Sequence, residues 1–389
     1  MVQSASLFNQ LLHHFPRTEF AALVKTTKAE RHARGFTSWA QFVAMLFCHL
    51  AHADSLRLIC NGLNCCLGKL KHLGIAEAPS KSGLSYANRH RPAALFEQLF
   101  WNTLQRFRNQ SMLGPSQKPF HFKNKLLVLD STTISLCLSL FPWAEFKKVK
   151  GGVKVHVLLD HDDYMPQFVH LSGAFHSDVQ AAHLVPAQRS SIIVMDRAYV
   201  DYELWAKWIT QGVFFVSRLR QDLRIKVIQK YSVPRNQNIM RDQLISLSSV
   251  YGRKQCPFPL RRVEVWNPEK QETIVLVTNH LNFDASTIAD IYRQRWQIEV
   301  FFKTLKQNLK VKTFVGTSEN ALRIQIWTAL IAMLLLRWLH FLSQRNWSFS
   351  NLASLLRMNL FTYRDLKEWL TDPLGTPPLE PLQLRLHLT

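Results

Sequence analysis

Leu126-Leu127-Val128-Leu129-Asp130 is a short, wholly apolar run that ends directly in an aspartate, and Ile192-Ile193-Val194-Met195-Asp196 repeats the pattern. Runs that are apolar at every position, rather than alternating, suit central strands buried on both faces of a helix-covered sheet. In open α/β sheets, ligands collect at the carboxyl edge of such strands. If the two strands are neighbours, ~4.8 Å apart, their terminal carboxylates converge on one point.

Outward from these runs, Val153–Leu159 alternates around Lys154 and His156, and with Gln167–Leu171 it predicts a hairpin. Asp178–Leu184 predicts a short helix, giving the order strand, strand, strand, helix, strand, helix. Another strand is expected at Gly212–Val216, followed by a β-rich stretch, 222–284, in which Arg262–Trp266 and Thr273–Val277 flank the turn Asn267-Pro268. Residues 1 to about 120 read as a helical N-terminal domain, because Trp39–Phe47 is too densely apolar for a strand and β-branched residues are few. Ser111–Ser116 reads as a linker. The longest apolar run, Ile324–Leu336, is bracketed by Arg323 and Arg337. It is too short for a ~30 Å bilayer and predicts a buried helix, so no membrane segment is expected. The expected divisions are 1–120, 121–221 and 285–345 as two parts of one core, 222–284 as an insertion, and 346–389 as a proline-containing tail.

The chain has 389 residues, 47% of them hydrophobic and 19% charged, which is a globular balance. Its net charge of +21 and pI near 10.0 exceed what solubility requires and favour a polyanionic partner, nucleic acid before membrane. The six cysteines include no C-x-x-C pair. Without a signal peptide, they suggest reduced thiols in a cytosolic protein. Cys48, His49, His52 and Cys60 match no usual zinc spacing and lie in an apolar helix. Gly151-Gly152 lacks a following Lys-Ser/Thr, so ATP is not indicated. The cluster Lys147, Lys148, Lys150 and Lys154 suits either DNA contact or a solvated face, and Asn88–Pro92 suits a DNA-touching helix start or a loop.

Tyr292, Arg295, Glu299 and Lys306 follow the spacing Y-x2-R-x3-E-x6-K. On one helix turning about 100° per residue they share an arc of roughly 60°. Ile291, Ile298, Phe301, Phe302 and Leu305 form an apolar stripe on the other side. Convergent carboxylates repel unless a hard cation lies between them, and Mg2+, with Mn2+ as substitute, prefers such oxygen donors. Glu299 would complete a two-metal site with Asp130 and Asp196, suited to phosphodiester displacement. Arg295 and Lys306 would hold phosphates, and Tyr292 would donate to a phosphate or pack on a sugar. Alternatively, Arg295–Glu299 is an ordinary i,i+4 ion pair.

Asp130, Asp196 and the Tyr292/Arg295/Glu299/Lys306 set resemble the DDE transposases of bacterial insertion sequences, specifically the insertion-sequence-four family with its YREK signature. Leu127–Thr132 and Val194–Tyr199 resemble that family's first two catalytic blocks, and Lys150–Asp160 the hairpin after the first. The resemblance covers roughly residues 120–345, and the N-terminal region is similar to a helical domain found ahead of such cores. It implies an α/β fold: a ribonuclease H-like mixed sheet flanked by helices, with an all-helical N-terminal domain and a β-rich insertion before the last catalytic helix. It also implies metal-dependent nicking of double-stranded DNA at transposon inverted-repeat ends, a hairpin intermediate and joining to target DNA. The metals would be held by the catalytic residues Asp130, Asp196 and Glu299. The DNA end would be contacted by Tyr292, Arg295 and Lys306. Trp266 would be either a base-stacking counterpart or a packing residue. Arg197 would touch a phosphate or pair with Asp196. A homodimer in a synaptic complex, in a bacterial nucleoid, is implied as well. The rivals are a cleavage-inactive DNA-binding relative and a structure-specific nuclease of the same superfold.

Overall fold

The structure, a computed structural model, describes residues 5–375 except 32, 34, 67–69, 115–119, 138–139, 142, 144, 148–149, 175, 220–222, 234–237, 308–313 and 344–346. Two compact units divide the chain, Met1–Gly114 with Lys303–Thr389, and Pro115–Phe302.

The first unit opens with helices α1 (Leu7–Leu12), α2 (Arg17–Thr27), α3 (Ser38–Leu50), α4 (Leu56–Asn64), α5 (Lys81–His90) and α6 (Ala94–Asn109). Thr37, Ser55 and Ser80 each cap a helix by accepting a backbone N–H three residues on. Every residue of α3 is buried, which explains the absence of a polar stripe from its sequence. Asn88-Arg89-His90-Arg91-Pro92 is the end of α5, not a helix start. Asn88 and Arg91 turn inward, where Gln41 donates to Asn88 at 2.8 Å and accepts from Arg91 at 3.2 Å. The cysteine–histidine set is likewise packing. His49 meets Thr328 at 3.0 Å, His52 meets Arg357 at 2.9 Å, and burial pushes the Cys48 thiol up to about 12.

In the second unit, β1 (Leu126–Leu136), β2 (Glu145–Lys147), β3 (Lys150–Asp160) and β4 (Pro166–Gly173) precede α7 (Asp178–His183). Next come β5 (Ile192–Met195), α8 (Tyr202–Thr210), β6 (Phe214–Arg218), β7 (Ile225–Lys230) and β8 (Ile239–Leu247). After α9 (Val250–Gln255) the unit adds β9 (Leu260–Asn267), β10 (Glu272–Thr278), α10 (Ala285–Arg293) and the start of α11 (Trp296–Gln307). All ten strands form one sheet. Its first half runs β4-β3-β1-β5-β6, with β3 alone reversed, which is the ribonuclease H-like order. Leu127–Leu129 and Ile193–Met195 are 0% exposed, as strands covered on both faces require. Alternate residues serve opposite faces. Leu126, Ile192 and Val194 pack on Ala285, Ile288 and Ile291 of α10, whereas Leu127, Leu129, Ile193 and Met195 pack with Leu204, Trp205 and Trp208 of α8.

The stretch 222–284 extends this same sheet through β10, which pairs antiparallel to β6, so it does not form a separate layer. The β9–β10 hairpin turns after Asn267, whose side chain accepts the N–H groups of Glu269 and Lys270.

Beyond α11 come α12 (Glu319–Leu342), α13 (Phe349–Asn359) and α14 (Leu366–Thr371), all in the first unit. The expected core segment 285–345 therefore divides between the units. The expected tail holds two helices whose Leu352, Leu356, Leu366, Trp369 and Leu370 are buried. Tyr363 bridges to Ser6, and Leu7 donates to Thr362 at 3.1 Å. Pro377, Pro378, Pro381 and the linker's Pro115-Ser116 lie outside the described residues. Among the described helices, α12 alone is long and apolar enough to cross a membrane, yet 83% of its apolar window is buried inside the protein, as a core helix would be.

Candidate active site

Asp130 is not at the end of its strand, since β1 continues to Leu136. What ends there is the parallel pairing: Leu129 opposite Met195 is the last matched pair of β1 and β5. Past that pair β1 keeps only β3 as partner, and Asp130 on β1 and Asp196, the first residue beyond β5, each follow a member of it. The Asp196 side chain accepts the Arg197 N–H at 2.7 Å and starts the short 3-10 turn Arg197–Tyr199. The Arg197 side chain is exposed and makes no ion pair with Asp196.

Burial pushes the Asp130 carboxyl up to about 6, aided by the charges of Asp196 and Asp178. The Ser131 N–H, at 2.7 Å, and Arg295 pull it the other way, and burial wins. Asp130 thus feels the charge of Asp196, as two carboxylates at one sheet edge do.

The expected single helix through Tyr292–Lys306 is broken. α10 ends at Arg293 and α11 begins at Trp296, with Gln294-Arg295 in a turn between them. Arg295, Gln297 and Ile298 each donate three residues back, at 3.1, 3.0 and 3.3 Å, which tightens the backbone locally. The turn aims Arg295 at the sheet edge: its Nη1 lies 3.2 Å from Asp130 Oδ2, and its Nη2 pairs with Glu299 Oε1. Arg295 thus links the first aspartate to the glutamate. The apolar stripe survives the break, with Ile291, Ile298 and Leu305 at 0% exposure. Tyr292 packs against the α10-side core, and burial pushes its hydroxyl up. Lys306 is in the last turn of α11. Trp266 is on β9, half-buried, with its backbone N–H donating to the Asn238 carbonyl at 2.7 Å. β9 is four strands from β1 in the sheet order, roughly 19 Å, so Trp266 is not brought to the aspartates.

The donor set is three carboxylates with one guanidinium among them, which leaves excess negative charge and oxygen ligands suited to a hard divalent cation. With Glu299 turned onto Arg295, no group of three ligands among the described residues is close enough to hold a metal as it stands.

Sequence reasoning missed a second constellation beside Asp130. Ser131 Oγ donates to Asp178 at 2.5 Å, and Lys154 Nζ is 3.3 Å from both Asp178 oxygens. Lys154 is therefore engaged with a carboxylate. Lys148 and the side chains of Lys147 and Lys150 lie outside the described residues. His156 Nδ1 is 3.6 Å from Asp178, too far for a hydrogen bond. Burial holds that imidazole down at about 4, so it is neutral at pH 7 and the contact is not an ion pair. Tyr199 is fully buried with its hydroxyl beside Ser131, and burial pushes that hydroxyl up. Asp178 drew attention only as a helix start, because nothing local distinguishes it from a capping acid.

Residues 121–335 match the family model described as the transposase DDE domain, and residues 3–76 match a domain of unknown function, DUF4372. A protein of Geobacillus stearothermophilus named as a transposase of insertion sequence element IS5377 is 35% identical over 227 residues, covering 58% of this chain and 59% of that protein. One of Sinorhizobium fredii, named as transposase y4zB, is 29% identical over 312 residues, covering 79% of this chain and 84% of that one. Among solved structures, a piggyBac transposase synaptic complex with hairpin DNA aligns with a TM-score of 0.46 at 13% identity, over 97% of this chain and 84% of that one.

Proposed function

The chain belongs to the family of the transposase DDE domain, and we propose on that footing that it is a DNA transposase. In this reading it binds the inverted-repeat ends of an insertion sequence, hydrolyses a phosphodiester there and joins the freed 3′ ends to target DNA. The observation that carries the reading is that Asp130 and Asp196 directly follow the last matched pair of two adjacent parallel strands, Leu129 opposite Met195, with Glu299 tied to Asp130 through Arg295.

Asp130, Asp196 and Glu299 would hold Mg2+, or Mn2+ in its place. Bound there, the ion would lower the pKa of a water or hydroxyl and steady the leaving oxygen. The chain's own groups do the rest. Leu127–Leu129 and Ile193–Met195, which lead into Asp130 and Asp196, are packed on both faces. Arg295 is the movable member. A DNA phosphate offers its guanidinium a bidentate partner in place of the two carboxylates, and its transfer would free Glu299 and Asp130. Tyr292 and Lys306 would contact the same DNA end. The hairpin intermediate, the insertion-sequence-four assignment and a dimer bridging two ends belong to this reading too.

The test is nicking of DNA bearing the element's own ends by the purified chain with Mg2+ or Mn2+. A nick at the element boundary followed by strand transfer is expected. Binding without nicking would point to a cleavage-inactive relative, and nicking of branched DNA alone to a structure-specific nuclease.

A further inference from the structure

We propose that Asp178, on the face of the sheet opposite Asp130, is a positioning residue that fixes the strand at Ser131 and through it the Asp130 carboxylate. The proposal rests on the metal-dependent reading above.

Asp130 occupies a weak point of the sheet. Its strand has just lost β5 as a neighbour, so from Asp130 onward β1 is held on one side only, by β3. Leu127 and Leu129 face α8, so the alternation turns Ser131 to that face and Asp130 to the opposite one, where Arg295 lies. Ser131 serves both faces: its backbone N–H donates to Asp130 Oδ1 at 2.7 Å and its hydroxyl donates to Asp178 Oδ1 at 2.5 Å. A serine hydroxyl has one hydrogen, and here Asp178 takes it.

Asp178 can anchor the strand because it is itself immobilised. Lys154 of β3 reaches both of its oxygens and also donates to the His176 carbonyl at 3.3 Å. Ser177 and Gln180 close a capping box around the start of α7. Tyr199, fully buried, sets its hydroxyl beside Ser131 as well. The result is a brace of β3, α7 and β1 across the point where the parallel pairing stops. A pure Lys154–Asp178 ion pair would need no Ser131, and this separates bracing from mere stability.

The experiment uses the full chain without DNA and Mn2+ as probe. Binding is read from loss of the free-Mn2+ EPR signal, and folding is checked by thermal unfolding. Ser131→Ala and Asp178→Ala are each expected to raise the half-saturating Mn2+ concentration about tenfold, the range for groups that orient a metal ligand. The double variant should show the same tenfold rise, not about a hundredfold, because both changes cut one connection. Ser131→Thr, which keeps the hydroxyl, should bind like the wild type and carries the test if Asp178→Ala does not fold. Wild-type binding by Ser131→Ala, or additive losses in the double variant, would overturn the brace while leaving the metal reading intact. A wild-type chain that takes up no Mn2+ would overturn the metal reading itself, and the brace with it.

Discussion

Two arginines of the same unit hold aspartates in contrasting ways. Arg261 of β9 meets Asp242 of β8 through two bonds, 2.8 and 2.6 Å, and donates its remaining Nη1 to the Leu281 carbonyl at 2.9 Å and to that of Phe283. Both side chains are nearly buried, and the Asp242 bonds hold the guanidinium above its usual range. One cation meets one anion, and all three guanidinium nitrogens donate. Arg295 instead divides itself between Asp130 and Glu299, at 22% exposure, while Asp196 takes only a backbone N–H. The first arrangement is neutral and complete, as a structural pair must be once it has left water. The second has more carboxylates than cations. Charge stoichiometry, not the presence of an ion pair, separates the structural site from the one proposed to react.

Four changes would break or sharpen that contrast. The largest effect is expected on chemistry: alanine at Asp130, Asp196 or Glu299 should lower nicking more than about a thousandfold while gel-shift binding of the ends persists. Loss of binding in all three would make the carboxylates structural and erase the difference. Next, Arg261→Ala should cost about 3–5 kcal/mol by urea unfolding, because it leaves Asp242 buried and uncompensated. Arg295→Ala should cost only about 1 kcal/mol, and equal costs would refute the comparison.

The third concerns pH. The Asp130 carboxyl is raised from 3.8 to about 6 in the folded chain, so the folded state binds its proton more tightly than the unfolded one. That contribution is complete below about pH 4 and is lost as pH rises through about 6. In chelator-treated buffer, Asp130→Asn should therefore gain stability over the wild type between those values, reaching about 1–3 kcal/mol at pH 8, and Mn2+ should reverse the difference. A pH-independent gap between the two melting curves would contradict the raised value. The smallest effect is at Tyr199. Removing its hydroxyl, which lies beside Ser131, in Tyr199→Phe should cost no more than about 1 kcal/mol by urea unfolding, and a loss above about 2 kcal/mol would contradict so weak a contact.

Much of the second unit was legible in the chain because burial on both faces abolishes alternation: Leu126–Leu129 and Ile192–Met195 could hardly be anything but central strands. The β3–β4 hairpin was readable for the opposite reason, since its Lys154 and His156 alternate with valines. The break between α10 and α11 was not readable. No glycine or proline marks Gln294-Arg295, and the residues would continue a helix equally well. The helices after residue 346 were hidden by the prolines around them.

Local chemistry by itself thus determined that Leu126–Leu129 and Ile192–Met195 are central strands, which aspartates end those apolar runs, and that a basic chain carries an acidic set. Those properties depend on neighbours within a few residues, where side-chain period and burial speak directly. Only the tertiary structure decided where β5 stops pairing with β1, that Arg295 turns onto Asp130, and that Asp178 reaches Ser131 from the opposite face. Each of these joins residues separated by tens to more than a hundred positions. A carboxylate's role is set by what charge and hydrogen bonds fold up against it, which no local pattern records.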